Sequence, residues 1–546
     1  MLNPNTLASQ LDAYLTGITP FGFAGAALVA GPEGVLLRKG YGLADRAAER
    51  LNTPDTVFSL GSITKPFTAA AVIKLQSQGL LDVQDPLSKF IPDLAADKAP
   101  IRLHHLLTHT AGLINYTGMD YDPADQEQIL AKIMAAKLHF EPGSEYEYSN
   151  AGYSLLAHII EIASGQPYET YLAEQLLEPA GLQATGYTRP DWTEHSLARW
   201  YVGATDNGTP FEKHYPSWNL LGNGDMLSTL DDLYRWHQAL MEGEVLSAEA
   251  QAQMYTPFLR EYGYGWRIEN SDIGLLVDHN GASDLGTSAL FRRYLDAGLT
   301  VVLFCNQSYG DLPMVLPLQD KIDQLVAGAS LMLPPSVEPA TELPEIFTGT
   351  YQLSEAGTLQ IAAQGPMLEL RAEGQAVTNL LAFPAEPLDA HADLNQATLA
   401  AFQAALDGDD ETFSAFLLRA GERLANVKRM LENSLAAAQE EMGEFEGLSV
   451  VATLPSSFFP GALDTTLEAR FAEGRGAIIS ISQEGKNAGA AVLEMVQGWV
   501  MPAVPEGDRL VGFHIPLERP VELQVLRADG QVVGLRAGSH DLSKIA

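Results

Sequence analysis

Leu7, Leu11 and Leu15 recur every four residues near the start of the chain and share one face of a predicted helix. The apolar run at 25–30 then passes through Gly31-Pro32-Glu33-Gly34 into Val35-Leu36-Leu37, which predicts a strand, a turn and a second strand. Over 62–79 the pattern is helical, with Phe67, Ala70, Ala71 and Leu75 on one side and Gly79 placed as a C-terminal stop. Pro66 has no N–H to donate and is tolerated only in a helix's first turn, so it puts Ser62 at the N-terminal end. Helical patterns return at 101–107, 155–164 and 229–240, and strand-like runs at 275–279, 288–294 and 299–306. Helix-rich sequence between an N-terminal hairpin and later strands predicts one sheet built from both ends of a domain, with a helical region inserted.

The texture changes after about residue 330. Leu333-Pro334-Pro335-Ser336-Val337-Glu338-Pro339 is a proline-rich linker signal. A short β module follows, with Tyr351/Leu353, Leu359/Ile361 and Leu368/Leu370 alternating. From 394 to 442 the period becomes helical: Leu399, Phe402 and Leu406 form one stripe, and Leu424, Val427, Leu431 and Leu435 another. Val521, Leu523 and Val525 then alternate with Glu522 and Gln524, and Asp529-Gly530 supplies a hairpin turn before Val532-Val533. The expected division is 1–332, 340–390 and 391–546.

A chain of 546 residues exceeds what one core usually serves, which agrees with several domains. Its 33 basic against 69 acidic residues, a net charge of -36, argue against nucleic acid or an anionic membrane surface as a partner. Cys305, the one cysteine, sits in the apolar run Val301-Val302-Leu303-Phe304-Cys305 and reads as core; an intramolecular disulfide needs two. The first residues, Met1-Leu2-Asn3-Pro4-Asn5, lack a basic region leading into an apolar stretch, and the apolar runs are too short to span a bilayer. The expectation is a cytoplasmic protein, or a periplasmic or secreted one if a leader has been removed.

Three short words carry candidate chemistry: Ser62-Ile63-Thr64-Lys65, Tyr148-Ser149-Asn150 and His279-Asn280-Gly281. At a helix N-terminus the first backbone N–H groups have no intrahelical partner, so the Ser62 N–H can bind a developing oxyanion while the hydroxyl attacks. Lys65 lies one turn on, on the same face, and its amine can reach that hydroxyl. A lysine serves as base only if burial or a nearby cation lowers its pKa, and a tyrosine needs cations beside it to favour phenolate. Lys65 and His279 are the candidates for those cations near Tyr148. His104, His105 and His109 also offer a His-x-x-x-His spacing, but no glutamate or aspartate pattern completes a zinc site, and packing or hydrogen bonding suffices for His109. No Gly-x-Ser-x-Gly elbow lies between a strand and a helix, which argues against an α/β-hydrolase.

The flanking words Leu106-Leu107-Thr108-His109-Thr110-Ala111-Gly112-Leu113, Pro142-Gly143, Ala151-Gly152-Tyr153, Ser228-Thr229-Leu230-Asp231-Asp232-Leu233 and Tyr262-Gly263-Tyr264-Gly265-Trp266 extend this set. Together, over roughly residues 10 to 330, they resemble the class C β-lactamase-like serine hydrolases, which include D-aminopeptidases, DD-carboxypeptidases and family VIII carboxylesterases. The resemblance implies an α/β class: a β-lactamase/transpeptidase-like α/β sandwich plus a helical domain, here followed by C-terminal β and α+β accessory modules. It makes Ser62 the acylated nucleophile, Lys65 its base partner and Tyr148 the general base for attack and deacylation. Asn150 becomes a polar contact to the substrate amide or to Lys65. The family's third word is commonly Lys-Thr-Gly on an edge strand, and the next residue's N–H, here that of Ala282, completes the oxyanion hole. His279 and Asn280 depart from that word, while Gly281 keeps it. A histidine is a weaker carboxylate anchor than an ammonium, which disfavours efficient β-lactam hydrolysis and looks more like the peptidase branches.

The resulting expectation is a serine hydrolase with no cofactor, acting on a small peptide or amide of D-aminopeptidase or DD-carboxypeptidase type. Carboxylester hydrolysis is the alternative, and a non-catalytic β-lactam or peptide receptor is the rival of a different class. The start at Gly349-Thr350-Tyr351 looks like the β modules appended to this family, and the region after 394 looks faintly like a nuclear-transport-factor-2-like cone. These C-terminal modules are the candidates for homo-oligomer contacts.

Overall fold

The computed structural model describes residues 3–92, 94–308 and 313–337. Beyond these it describes 344–353, 357–364, 367–373, 377, 381, 391–416, 435–436, 439, 443–455, 463–472, 476–484, 487–492, 499–515, 519–538 and 540–545. The chain packs into two compact units: Met1–Leu15, Phe23–Ser308 and Leu312–Leu331 in one, and Thr16–Gly22, Tyr309–Asp311 and Met332–Ala546 in the other.

The first unit is ordered by helix α1 (Pro4–Ile18), strands β1 (Gly25–Gly31) and β2 (Gly34–Tyr41), and helices α2 (Thr64–Ser77), α3 (Leu103–Leu107), α4 (Asn150–Ser164) and α5 (Leu230–Met241). Strands β3 (Arg267–Ser271), β4 (Gly274–Ala282), β5 (Ser288–Tyr294) and β6 (Leu299–Cys305) and helix α6 (Val315–Val326) complete it. The sheet runs β2-β1-β6-β5-β4-β3, every neighbour antiparallel. The N-terminal hairpin pairs with the later strands through Ala27↔Leu303 and its neighbours, as the alternation of helix and strand patterns predicts. In β5 and β6 every residue is buried, including Cys305, whose thiol is pushed up by burial. In β6 a nearly continuous apolar run marks a strand covered on both faces, whereas β5 is buried with Arg292 and Arg293 in it.

Helix α2 departs from the one-sided stripe its sequence predicts: all ten residues from Thr64 to Ile73 are buried. A helix surrounded by protein is central rather than amphipathic. Phe67 stacks on Trp236 of α5 with ring centroids 4.6 Å apart, and Phe58 stacks on Phe304 of β6 at 5.0 Å. Anything α2 carries at its N-terminal end is therefore held rigidly.

In the second unit eight strands close a barrel: Gly349–Gln352, Thr358–Gln364, Met367–Glu373, Trp499–Glu506, Arg509–His514, Arg519–Ala528, Gln531–Ala537 and His540–Lys544. Tyr351 pairs with Lys544 to join the ends. Asp529 (φ 52°) and Gly530 (φ 78°) form the predicted hairpin turn, both in the left-handed region such a turn requires. The expected boundary between 390 and 391 is corrected by this topology. Three strands before residue 374 would leave open edges, and five strands after 498 close them, so the intervening chain is an insertion into one barrel. Its described part holds the helices Ala392–Asp407 and Asp410–Phe416 against a four-stranded sheet spanning 445–492, around Phe402, Phe413 and Leu467. Glu338, Pro339 and the predicted stripe residues Leu424, Val427 and Leu431 lie outside the described residues. Among the described residues no helix is long and apolar enough to cross a membrane.

Candidate active site

A single 3₁₀ turn, Gly61–Ile63, leads into α2 and carries Ser62. Lys65, the second residue of α2, has its Nζ 2.9 Å from Ser62 Oγ, 2.7 Å from Asn150 Oδ1 and 2.6 Å from the Asn223 carbonyl. Lys65 is fully buried, and that burial holds its pKa well below the usual lysine value, with the charge of Asp120 only partly opposing it. Two of its three partners can only accept a hydrogen bond. A free amine with two N–H bonds and one lone pair matches this set, its lone pair directed at the one partner that can donate, the Ser62 hydroxyl. Asn150 is oriented by Asn115: the Asn150 Nδ2 donates to Asn115 Oδ1 at 3.1 Å, which turns Asn150 Oδ1 toward Lys65.

The stretch Thr108–Asn115 is a cradle for the segment that carries Tyr148. Backbone bonds run from His139 N to Gly112 O (2.8 Å), Gly143 N to Thr110 O (2.7 Å), Glu147 N to His109 O (3.0 Å) and Ala151 N to Asn115 O (2.9 Å). Gly112, at φ 72°, is needed because a Cβ there would lie 2.4 Å from the Phe140 carbonyl. Ser149 then caps α4, its hydroxyl accepting from Gly152 N and donating to Ile114 O. Lys65 Nζ lies 4.7 Å from the centre of the Tyr148 ring. Burial raises the Tyr148 pKa, although its hydrogen bond with Ser62 opposes this. Burial thus works against the phenolate that flanking cations are expected to favour, and it works against the ammonium form of Lys65 as well.

His279, the other expected cation, is shifted in the same sense. It is buried, and its pKa falls to about 3 through burial and the nearby Lys65, so it is a neutral ring. Its Nδ1 faces the Asn280 carbonyl at 2.6 Å and so carries the hydrogen; its Nε2, 3.0 Å from Tyr262 Oη, accepts from that hydroxyl. Both nitrogens are committed inside the protein, so His279 forms wall rather than anchor. Asn280 lies on the opposite face of the pleat, with Asp278, and what it turns toward His279 is its carbonyl.

Strand β3 pairs with β4 only over Gly274–Asp278, so His279–Ala282 extend past their neighbour with a free edge. The turn bearing Ser62 occupies that edge. A Cβ on Gly281 would lie 2.1 Å from Leu60 O and 2.5 Å from Ser62 N, and one on Gly61 would lie 2.8 Å from Ala282 N. These approaches press the backbone that carries the Ser62 N–H against the backbone that carries the Ala282 N–H, the two donors the resemblance assigns to an oxyanion hole. Gly265 (φ 76°) closes on the other side, with room for no Cβ against the Lys65 carbonyl at 2.8 Å.

Ser62, Lys65, Tyr148, Asn150, Gly281 and Ala282 thus come together, and Asn280 stands half-buried on the other face of the pleat from His279 and Gly281. Asn223, Asn115 and Asp120 are additions that the sequence reading missed. Asn223 contributes a carbonyl, which any residue could supply, so no side-chain signature marks it. Asp120, half-buried, has its pKa raised to about 6 by burial and by the charges of Asp225 and Asp284, with Lys65 opposing. Asp225, at φ 64°, accepts from Ser59 and Tyr121. His104, of the weighed metal spacing, pairs its Nδ1 with Tyr264 Oη at 2.9 Å, and His109 Nδ1 accepts from Ser149 N at 3.1 Å.

A buried lysine on a helix-borne serine, beside a tyrosine and a two-amide cradle, on an antiparallel sheet flanked by helices, defines a serine hydrolase of the β-lactamase fold. The chain matches the Beta-lactamase family over residues 20–322 and belongs to it. It is 29% identical over 388 residues to penicillin-binding protein 4* of Bacillus subtilis (strain 168), covering 65% of this chain and 84% of that one. It is 26% identical over 379 residues to esterase EstB of Burkholderia gladioli, covering 59% and 96%. The octameric penicillin-binding protein homologue from Pyrococcus abyssi shares its fold, with TM-score 0.52 and 19% identity over 98% of this chain and 99% of that one.

Proposed function

We propose that the protein hydrolyses peptide or amide bonds of small substrates through an acyl-enzyme on Ser62. The observation that supports this most directly is the fully buried Lys65, within 2.9 Å of Ser62 Oγ and surrounded by partners that suit a free amine. Ser62 Oγ attacks the carbonyl carbon as its proton passes to Lys65, and the N–H groups of Ser62 and Ala282 take the oxyanion charge. Collapse breaks the C–N bond, the leaving amine receiving a proton through Lys65 and the Tyr148 phenol. Water then attacks the ester, its proton passing back to the same pair, and Ser62 is restored.

Charge around the site favours the aminopeptidase or amidase form over a carboxypeptidase or lactamase. A substrate carboxylate needs a cation, yet His279 is neutral and Lys65 is buried against its own partners. The Asp120 carboxylate near Lys65 instead suits a substrate ammonium group. Carboxylester hydrolysis is the second reading, supported by the alignment along 96% of EstB.

Treatment with a fluorophosphonate, followed by mass analysis of the Ser62 peptide, tests the acyl-enzyme. An adduct on Ser62 that is absent from Ser62→Ala is expected; no adduct, with p-nitrophenyl acetate also untouched, overturns the reading. Free and N-acetylated D- and L-alanine p-nitroanilides then rank the substrates, with the free-amine forms expected to lead. Faster turnover of the acetylated forms would remove the aminopeptidase assignment.

A further inference from the structure

His109 stands in a conformation that most side chains avoid, at φ 56°, and is 1% exposed. From there one residue grips the Tyr148 segment three ways. Its carbonyl accepts from Glu147 N at 3.0 Å, its Nδ1 accepts from Ser149 N at 3.1 Å, and its ring lies against the Tyr148 ring with centroids 4.2 Å apart. The two backbone bonds bracket Tyr148 on either side. Tyr262 and Tyr153 complete the box around the imidazole at 4.6 and 5.0 Å.

Because Nδ1 accepts from a backbone N–H, the neutral ring carries its hydrogen on Nε2, and that atom is buried without a hydrogen-bond partner among the described residues. A buried N–H without a partner is unfavourable, and an apolar ring would fill the same space without it. Packing alone therefore does not explain a histidine here. The Ser149 N–H does, since an acceptor at the Nδ1 position is what a phenylalanine or leucine lacks. Burial and the neighbouring Lys65 keep the ring uncharged, so it adds no cation beside the phenol.

We infer that His109 is the positioning residue for Tyr148, fixing the backbone on both sides of it and the plane of its ring so that the phenol stays on Ser62. The inference rests on the acyl-enzyme reading above and adds to it a residue that touches neither substrate nor Ser62.

The test is a double-mutant cycle with Tyr148→Phe, read as nitrophenolate release from p-nitrophenyl acetate. His109→Asn tolerates a positive φ and places Oδ1 where Nδ1 stood, keeping the Ser149 bond while losing the ring; His109→Ala loses both. Expected are falls in kcat of about tenfold for Asn and about a hundredfold for Ala with KM within about twofold, and of less than about twofold for either in the Tyr148→Phe background. Equal losses in both backgrounds overturn the inference, as does a rise in KM at constant kcat. Thermal melts of each variant identify any that fail to fold, and His109→Asn supplies the folded comparison if His109→Ala does not. Tyr148→Phe with undiminished kcat overturns the inference while leaving the Ser62 acyl-enzyme standing. Failure of that broader reading shows separately, as Ser62→Ala with wild-type turnover.

Discussion

Strand β4 carries buried ionisable groups on both of its faces, and the two faces solve burial in opposite ways. On one, His279, Lys65 and Tyr148 are pushed toward their uncharged forms by loss of water. On the other, Asp278 takes a bidentate pair of bonds from Arg267, at 3.0 and 2.8 Å, and lies 3.3 Å from Arg292, whose Nη1 reaches Asp323 of α6 at 2.5 Å. Burial lowers the Arg292 pKa, but Tyr294, Asp278 and Asp323 outweigh it and the guanidinium stays charged. Charge is kept where it is paired and holds a helix to the sheet; it is shed where a proton must move.

Lys65→Met gives the largest expected contrast. Turnover should fall by about 10³–10⁴-fold, since the variant removes the base, while stability near pH 10, where Lys65 costs little, changes by no more than about 1 kcal/mol. Because the folded protein holds Lys65 below its ordinary 10.5, the unfolded chain binds more protons through the window that ends there, and native stability rises with pH across it. That slope should disappear in Lys65→Met, as read by urea melts from pH 7 to 10. An unchanged slope would mean that Lys65 is not held neutral.

Gly281→Ala tests the edge between β4 and the Ser62 turn. Its methyl would need the space 2.5 Å from Ser62 N, so kcat should drop by about 10²–10³-fold through loss of the oxyanion cradle. Stopped-flow acylation measures this, and a wild-type burst would rule out those two amides as the cradle. Asp278→Asn should do the reverse of Lys65→Met: a loss of about 2–4 kcal/mol in denaturant unfolding, with kcat per folded molecule within about threefold.

The smallest effect concerns Asp120. Its carboxyl, held near 6, is ionised above that pH and can then pair with a substrate ammonium group. For D-alanine p-nitroanilide kcat/KM should therefore rise through about pH 6, and Asp120→Asn should flatten this limb at a loss of about fivefold at pH 7.5. The N-acetylated substrate should show neither change. Folding runs in the opposite sense. A carboxyl whose pKa is raised on folding binds more protons in the native state between 3.8 and about 6, so its contribution to stability is present below that window and is lost across it.

Much of this was readable from residue order. The periodicities of Leu7/Leu11/Leu15 and of Val301–Cys305 report which side of an element avoids water, and the structure has those elements. They do not report closure: the strands around Leu359 and Val521 each alternate locally, and nothing in either run says that they share a barrel with an insertion between them. The site divides similarly. Ser62 and Lys65 are one helical turn apart, so their meeting is a local consequence of spacing. The shift of His279 depends on burial and on Lys65, groups that lie far from it in sequence, so the residue type alone does not report its charge. His109 was visible within Thr108-His109-Thr110, yet its grip on residues 147–149 depends on a left-handed backbone that no side-chain pattern announces.

The interrupted barrel bears on how the protein is made. Ala372 pairs directly with Trp499, so the strand that ends at 373 must wait for more than a hundred further residues before its neighbour exists. At a synthesis rate of about 5–20 residues per second the nascent chain carries three strands with an exposed edge for roughly 6–25 s. The length of the insertion sets that interval, so the barrel's third strand and its neighbour are separated in time as well as in sequence.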